Sequence, residues 1–201
     1  MAAPVDSPVA LCNLALGLVG KSFISALDEN SAEAVACALY WPVARQTMLQ
    51  ASLWTFALRR IDLAQIENDF PIAYSYAYAY PVNALRVVRL FPADRFVRRR
   101  GRPEPDFEVR EGKIYTFEPA VAAEVLVDVE DVTQYPALFV QALSYHLAEF
   151  LARVLVRAPA LAREMATFRD TVLAAAVAAD AAQDMKSYLL EPPDDYSDVR
   201  R

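Results

Sequence analysis

Apolar positions recur at helical spacing near both ends of the chain and at strand spacing in its middle. Ser7-Pro8 reads as an N-cap followed by a proline in the first helical position. The helix it opens carries Leu11, Leu14, Ala15 and Leu18 and is expected to stop at Gly20, a residue free to take the left-handed conformation after a helix end. It is apolar on nearly every side, which suits a position in the core or in an assembly. A second helix is expected from Asn30-Ser31-Ala32-Glu33, where Asn30 and Glu33 have the spacing of a reciprocal cap. Ala34, Cys37, Ala38, Trp41, Met48 and Leu49 form its apolar side, and Pro42 within it predicts a kink, because proline lacks the backbone donor and crowds the preceding turn.

Two long helices close the pattern. One spans about 136–156, with Phe139, Leu143, Leu147, Phe150, Leu151 and Val154 on one stripe. The next starts near Pro159 and carries Leu161, Met165, Phe168, Val172, Ala175, Ala179 and Ala182; its alanine-rich second half would let another helix approach closely. After Lys186 the pattern ends, and Glu191-Pro192-Pro193-Asp194-Asp195-Tyr196 is expected to form an extended arm.

The middle of the chain, 53–133, is richer in Val, Ile, Tyr and Phe. Segments 85–90, 95–98, 107–110, 114–117 and 124–129 read as short strands, with Glu111-Gly112 as a hairpin turn. Tyr74, Tyr76, Tyr78 and Tyr80 alternate with small residues, so an extended backbone puts four rings on one face. That face either packs on its own domain or offers an aromatic contact surface to a neighbour. The expected fold is mainly α with a β-rich insertion, an α+β class: a four-helix body from 1–52 and 134–185, a small antiparallel β region at 53–133, and an extended arm at 186–201.

Composition narrows the chemistry. The 201 residues include 4 glycines, 1 histidine and 2 cysteines. Gly17, Gly20, Gly101 and Gly112 cannot build the glycine-rich phosphate loops or the nucleophile elbow, and one histidine excludes a multi-histidine metal site. Cys12 and Cys37 fall in helical apolar patterns and read as reduced core thiols. No run of 18 apolar residues occurs and the N-terminal apolar stretch has no basic flank, so neither a membrane span nor a signal peptide is expected. The net charge is -6 but unevenly spread: 86–110 holds 8 arginines against 4 acids, while 184–198 holds 5 acids and 1 lysine. Such polarity suits binding to something charged, other copies of the chain included.

Three constellations invite a chemical reading. His146 has Glu149 three residues on, and Glu149 to Arg153 is a favourable i,i+4 pair, but no nucleophile or metal partner accompanies them, so His146 reads as structural. Asp128, Glu130 and Asp131 lack a fourth oxygen ligand and EF-hand spacing and read as a solvated strand end rather than a cation site. The run Arg98-Arg99-Arg100-Gly101-Arg102 has the charge to grip nucleic acid, yet it is bracketed by Glu104, Asp106 and Glu108, which favours a solvated tip or a contact to an acidic protein. No catalytic residue, metal ligand or cofactor site emerges.

The order of several short segments resembles tail tubular protein A and related head-to-tail adaptors of short-tailed bacteriophages. Asn13-Leu14-Ala15-Leu16-Gly17-Leu18-Val19-Gly20 and Ile24-Ser25-Ala26-Leu27-Asp28-Glu29-Asn30-Ser31 are similar to the family's opening helix and turn, and Cys37 lies in the helix that follows. Trp54-Thr55-Phe56-Ala57 with Arg59-Arg60, then Tyr76-Ala77-Tyr78-Ala79-Tyr80-Pro81, Asp131-Val132-Thr133, Leu138–Leu143 and Leu147–Ala152 follow in the same order, so the resemblance covers about 10–185. Two places depart from the family pattern: Pro81 is followed by Val82-Asn83, and the first long helix exits through Val156-Arg157-Ala158-Pro159 without glycine.

The resemblance implies a structural virion protein and no enzyme: a ring, usually of twelve copies, joining the portal to the tail nozzle and extending the DNA channel, assembled in the host cytoplasm. Its partners would be further copies, the portal protein, the nozzle protein and double-stranded DNA passing without sequence-specific binding, with no membrane. Glu191, Asp194, Asp195 and Tyr196 would then belong to a portal-contact arm, and Tyr74, Tyr76, Tyr78, Tyr80, Arg98, Arg99, Arg100 and Arg102 to contacts with subunits or nozzle. The alternative is a DNA-binding module that uses Arg95–Arg102.

Overall fold

In a computed structural model that describes residues 5–92, 105–119 and 121–190 (the side chains of 92 and of 184–190 apart), the fold is α+β, with four helices and two small antiparallel sheets. The described residues fall into two units. One comprises those of Met1–Tyr40 and Tyr135–Arg201, the other Trp41–Gln134.

In the first unit, Ser7 caps α1 (Pro8–Leu18), its hydroxyl accepting from the Ala10 amide at 3.2 Å. Gly20, with φ of 67°, ends the helix: its amide donates to the Gly17 carbonyl and that of Lys21 to the Leu16 carbonyl, a paired closure that requires the left-handed residue. Asn13 reaches out of α1 and clamps the following loop, accepting from the Ile24 amide at 2.8 Å and donating to the Ile24 carbonyl at 2.9 Å. The helix is less uniformly covered than its sequence predicts: Leu11, Cys12, Ala15 and Leu16 are buried while Leu14 and Leu18 are exposed.

Helix α2 spans Ala32–Gln50. Its cap is Ser31 rather than Asn30: the hydroxyl accepts from the Ala34 amide at 3.1 Å, and Glu29, not Glu33, completes the turn by accepting from the Ser31 hydroxyl and the Ser25 amide. A serine oxygen on a single carbon stands at the right distance for the third amide ahead. The helix runs unbroken through Pro42. Cys12 and Cys37 are both free and buried, and the interaction with the Cys37 thiol together with burial pushes the Cys12 thiol far above its ordinary value.

Helix α3 (Ala137–Leu151) is buried at Phe139, Val140, Ala142, Leu143, Leu147, Ala148 and Leu151 and packs against α1 and α4. Tyr40 stacks on Phe150 with ring centroids 5.1 Å apart. A π turn, Ala152–Val156, extends α3 and ends at Arg157, which takes φ of 55° where glycine would be usual. Together Ala137–Val156 is 20 residues at mean hydropathy 1.2, long and apolar enough to cross a membrane, which the absence of an unbroken apolar run had argued against. Its buried stripe and its paired charges, described below, mark it as a core helix. Helix α4 runs from Pro159 to Leu190, four residues past the expected end at Lys186. A proline disfavours the helical conformation at the residue just before it, and Leu190 stands two positions before Pro192.

In the second unit, β1 (Leu58–Asp62), β7 (Val121–Val127) and β4 (Ala84–Pro92) form one antiparallel sheet in the order β1-β7-β4. The other has the order β2-β3-β6-β5, from β2 (Gln65–Ile66), β3 (Tyr76–Ala79), β5 (Phe107–Arg110) and β6 (Lys113–Thr116). Glu111 and Gly112 turn β5 into β6 with φ of 52° and 71°, the geometry of a two-residue hairpin whose twist matches its strands. Tyr78, Val87, Leu90, Ile114, Val121, Ala123 and Val125 form the core between the strands. β7 starts three residues earlier than predicted, because Val121-Ala122-Ala123 continues the buried run. The expected strand at 95–98 lies outside the described residues.

Replacing Asn13 with alanine leaves both backbone groups of Ile24 without their partner. We expect a loss of about 1–3 kcal/mol, read from urea unfolding, with the helical circular dichroism unchanged.

Candidate interaction surfaces

The four tyrosines do not form a common outward surface. Tyr78 is 1% exposed, sits in the core of the second unit and donates its hydroxyl to the Glu118 carbonyl at 3.1 Å. Tyr76 and Tyr80 pack half-buried against that core, and Tyr74, outside β3, donates to Glu108 at 3.0 Å. Alternation did put the rings of Tyr76, Tyr78 and Tyr80 on one side, but that side faces the chain's own core. The expectation of a tyrosine contact surface is corrected accordingly for Tyr78. Arg98, Arg99, Arg100 and Arg102, and the arm residues Glu191, Asp194, Asp195 and Tyr196, lie outside the described residues.

Both units bury charged side chains and answer them locally. In the first, the Glu149 carboxylate accepts from Arg153 at 2.6 Å and from Arg169 of α4 at 2.5 Å. His146 stands beside them, its Nδ1 3.2 Å from Arg169, and its buried Nε2 has no hydrogen-bond partner. Burial, then the adjacent Arg169 charge, hold the imidazole below its ordinary value of 6.5, against the pull of Glu149 and Asp170. The i,i+3 and i,i+4 spacings made His146, Glu149 and Arg153 legible in the sequence. Arg169 was not, since only the antiparallel pairing of α3 and α4 brings it there.

In the second unit, Glu124 of β7 meets Arg89 at 2.6 Å and Arg60 at 3.7 Å, and both guanidinium groups lie over the Phe91 ring at 5.2 and 5.1 Å. The register explains the cluster, because Arg60 of β1 and Arg89 of β4 both lie opposite Glu124. Asp128 is held by Arg45 through two bonds of 2.9 and 2.8 Å and by Gln46 at 2.8 Å, while Asp131 accepts from Thr133 and Gln134. These carboxylates are thus engaged with protein donors, and among the described residues no group of three metal-ligating side chains comes together.

Large apolar side chains are exposed both in the second unit, where Ile72 and Val82 are fully exposed outside the strands, and along helices. Val35, Leu39 and Val43, spaced by four along α2, are 63%, 63% and 50% exposed. Phe23 is 70% exposed, and the exposed positions on α4 include Ala174, Ala175, Ala178, Ala179, Ala181 and Ala182. Val43 also borders a shallow groove of about 420 Å³ with Gln46, Thr47, Gln50 and Ala51. No protein-family model matches the chain, and no curated protein matches it.

Two outcomes follow from the charge network. Arg169→Met leaves Glu149 with one cation in a site largely shut from water, and should cost about 3 kcal/mol in urea unfolding. For His146, the unfolded chain takes up the proton at a higher pH than the folded one. Stability is therefore lost as pH falls through the ordinary histidine range near 6.5, and His146→Leu should flatten that part of the stability–pH curve.

Proposed function

We propose that this chain is a structural subunit, a head-to-tail adaptor of a short-tailed bacteriophage, which assembles into a ring between portal and nozzle and carries no catalytic activity. The observation that carries the reading is the uncovered stripe Val35, Leu39 and Val43 on α2. A helix that folds with one side buried normally leaves charged residues on the other. Three large apolar side chains in register suit a face that a second protein covers. The alanine positions on α4 add a smooth helical surface of the kind that permits close packing. The ordered likeness of the segments from Asn13 to Ala152 to the adaptor family supplies the identity of the assembly.

Two details fit the same reading. In the likeness, Asn13 and the Ile24–Ser31 turn are separate segments; in the fold they are one construction, with Asn13 clamping Ile24, and Glu29 and Ser31 capping α2. A closed ring of identical subunits needs two different patches that meet head to tail. The uneven charge along the sequence and the apolar face of α2 offer such unlike patches. The arm 186–201, which begins on the last turn of α4, would contact the portal, and an acidic channel wall would let DNA slide without adhering.

Leu39→Glu tests the stripe. The side chain is largely solvated, so the folded subunit should change in stability by no more than about 0.5 kcal/mol, while sedimentation velocity should show the ring replaced by monomer. Truncation after Met185 should leave the ring intact and abolish its capture by immobilised portal protein. Unchanged assembly of Leu39→Glu would remove α2 from the subunit contact.

A further inference from the structure

The second unit contains a cavity of about 230 Å³ lined by Phe70, Ala73, Tyr74, Glu108, Arg110, Tyr115 and Phe117. Four of these are aromatic and they meet edge to face or tilted: Phe70 and Tyr115 at 5.6 Å and 90°, Tyr74 and Tyr115 at 6.0 Å, Tyr74 and Phe117 at 5.2 Å. Tyr115 is 2% exposed, and its hydroxyl is buried with no hydrogen-bond partner. Phe117, by contrast, is 58% exposed at the rim.

Acids outnumber bases in the two segments that line the cavity. Across 65–80 and 105–119 the acids are Glu67, Asp69, Asp106, Glu108, Glu111 and Glu118, and the bases are Arg110 and Lys113, the latter paired with Asp69. One guanidinium already sits at the edge: Arg110 lies over the Phe70 ring at 5.1 Å and pairs with Glu108 at 2.8 Å. Two other carboxylates each meet two guanidinium groups, Arg60 and Arg89 at Glu124 over Phe91, and Arg153 and Arg169 at Glu149, while Asp128 is held by Arg45 and Gln46. At Glu108 there is only Arg110 among the described residues, and the rings of Tyr74, Tyr115 and Phe117 have no cation over them among those residues.

We propose that this cavity is a binding site for an arginine side chain presented by an extended basic segment of a partner protein. The guanidinium stacks on the ring faces of Tyr74 and Phe117 and donates to the Glu108 carboxylate, with Tyr115 as the buried floor of the site. The edge strand β5, which carries Glu108 and pairs on one side only among the described strands, runs beside the cavity and provides backbone groups for an extended segment to follow. An acidic peptide or a nucleic-acid backbone would meet the wrong charge. The inference stands on this cavity alone and holds whether or not the chain is an adaptor.

The test uses the full chain and two synthetic peptides: Arg-Arg-Arg-Gly-Arg-Pro, the sequence of its own residues 98–103, and the same peptide with citrulline at each arginine, which keeps the shape and removes the charge. Calorimetric titration should show saturable binding of the arginine peptide, at least about tenfold tighter than the citrulline peptide. The aromatic proton signals of Tyr115 and Phe117 should move during the titration. Phe117→Ala, at an exposed ring that the fold can spare, and Glu108→Gln should each weaken binding by about tenfold while leaving the thermal midpoint within a few degrees. Equal binding of the two peptides, no saturable binding, or binding untouched by both variants would overturn the assignment.

Discussion

Helix α3 is apolar over most of its circumference, and the first unit is arranged around the need to cover it. Leu143, Leu147, Ala148 and Leu151 are wholly buried, and each large side chain removed from water is worth about 1.5–3 kcal/mol. α1 and α4 supply the cover, with Tyr40 of α2 stacked on Phe150. That burial draws Glu149 in with it, so the pairing of Glu149 with Arg153 and Arg169 is a consequence of the hydrophobic arrangement and also fixes its register. A buried carboxylate with its cations in place adds little net stability, but sliding α4 by one turn would strand it.

The second unit solves the same problem with strands. β7 is buried on both faces, so its sequence is a continuous apolar run broken only by Glu124, and that one carboxylate is met from both neighbouring strands. Glu108 shares with Glu124 the pairing of a carboxylate with arginine over an aromatic ring, but it has a single arginine and borders an aromatic cavity.

Much of this was legible in the sequence where the signal is local. The Ser7-Pro8 opening, the stop at Gly20, the stripe of α3 and the Glu111-Gly112 turn each depend on residues a few positions apart. The misplaced features depend on partners distant in sequence. The tyrosine alternation told which side of β3 the rings occupy but not that β6, and the core behind it, would cover Tyr78. The capping of α2 is a local exception: it shifted by one residue because Glu29, two positions before Ser31, accepts from its hydroxyl. Arg169, Arg45 and the aromatic lining around Tyr115 became visible only once α3 met α4, α2 met Asp128, and the loop at Phe70 met the β5–β6 hairpin. For the exposed stripe of α2, the apolar pattern was present in the sequence, but which apolar positions stay uncovered is a property of the folded chain.

We propose that further copies cover the uncovered apolar faces of α2 and α4, so that the chain works as one part of a ring. Native mass spectrometry of the full chain, alone and mixed with a portal protein, addresses it most directly. We expect a closed multiple of the 22.4 kDa subunit bound to the portal, twelve copies by the adaptor likeness. A chain that stays monomeric at all concentrations and ignores the portal would contradict it.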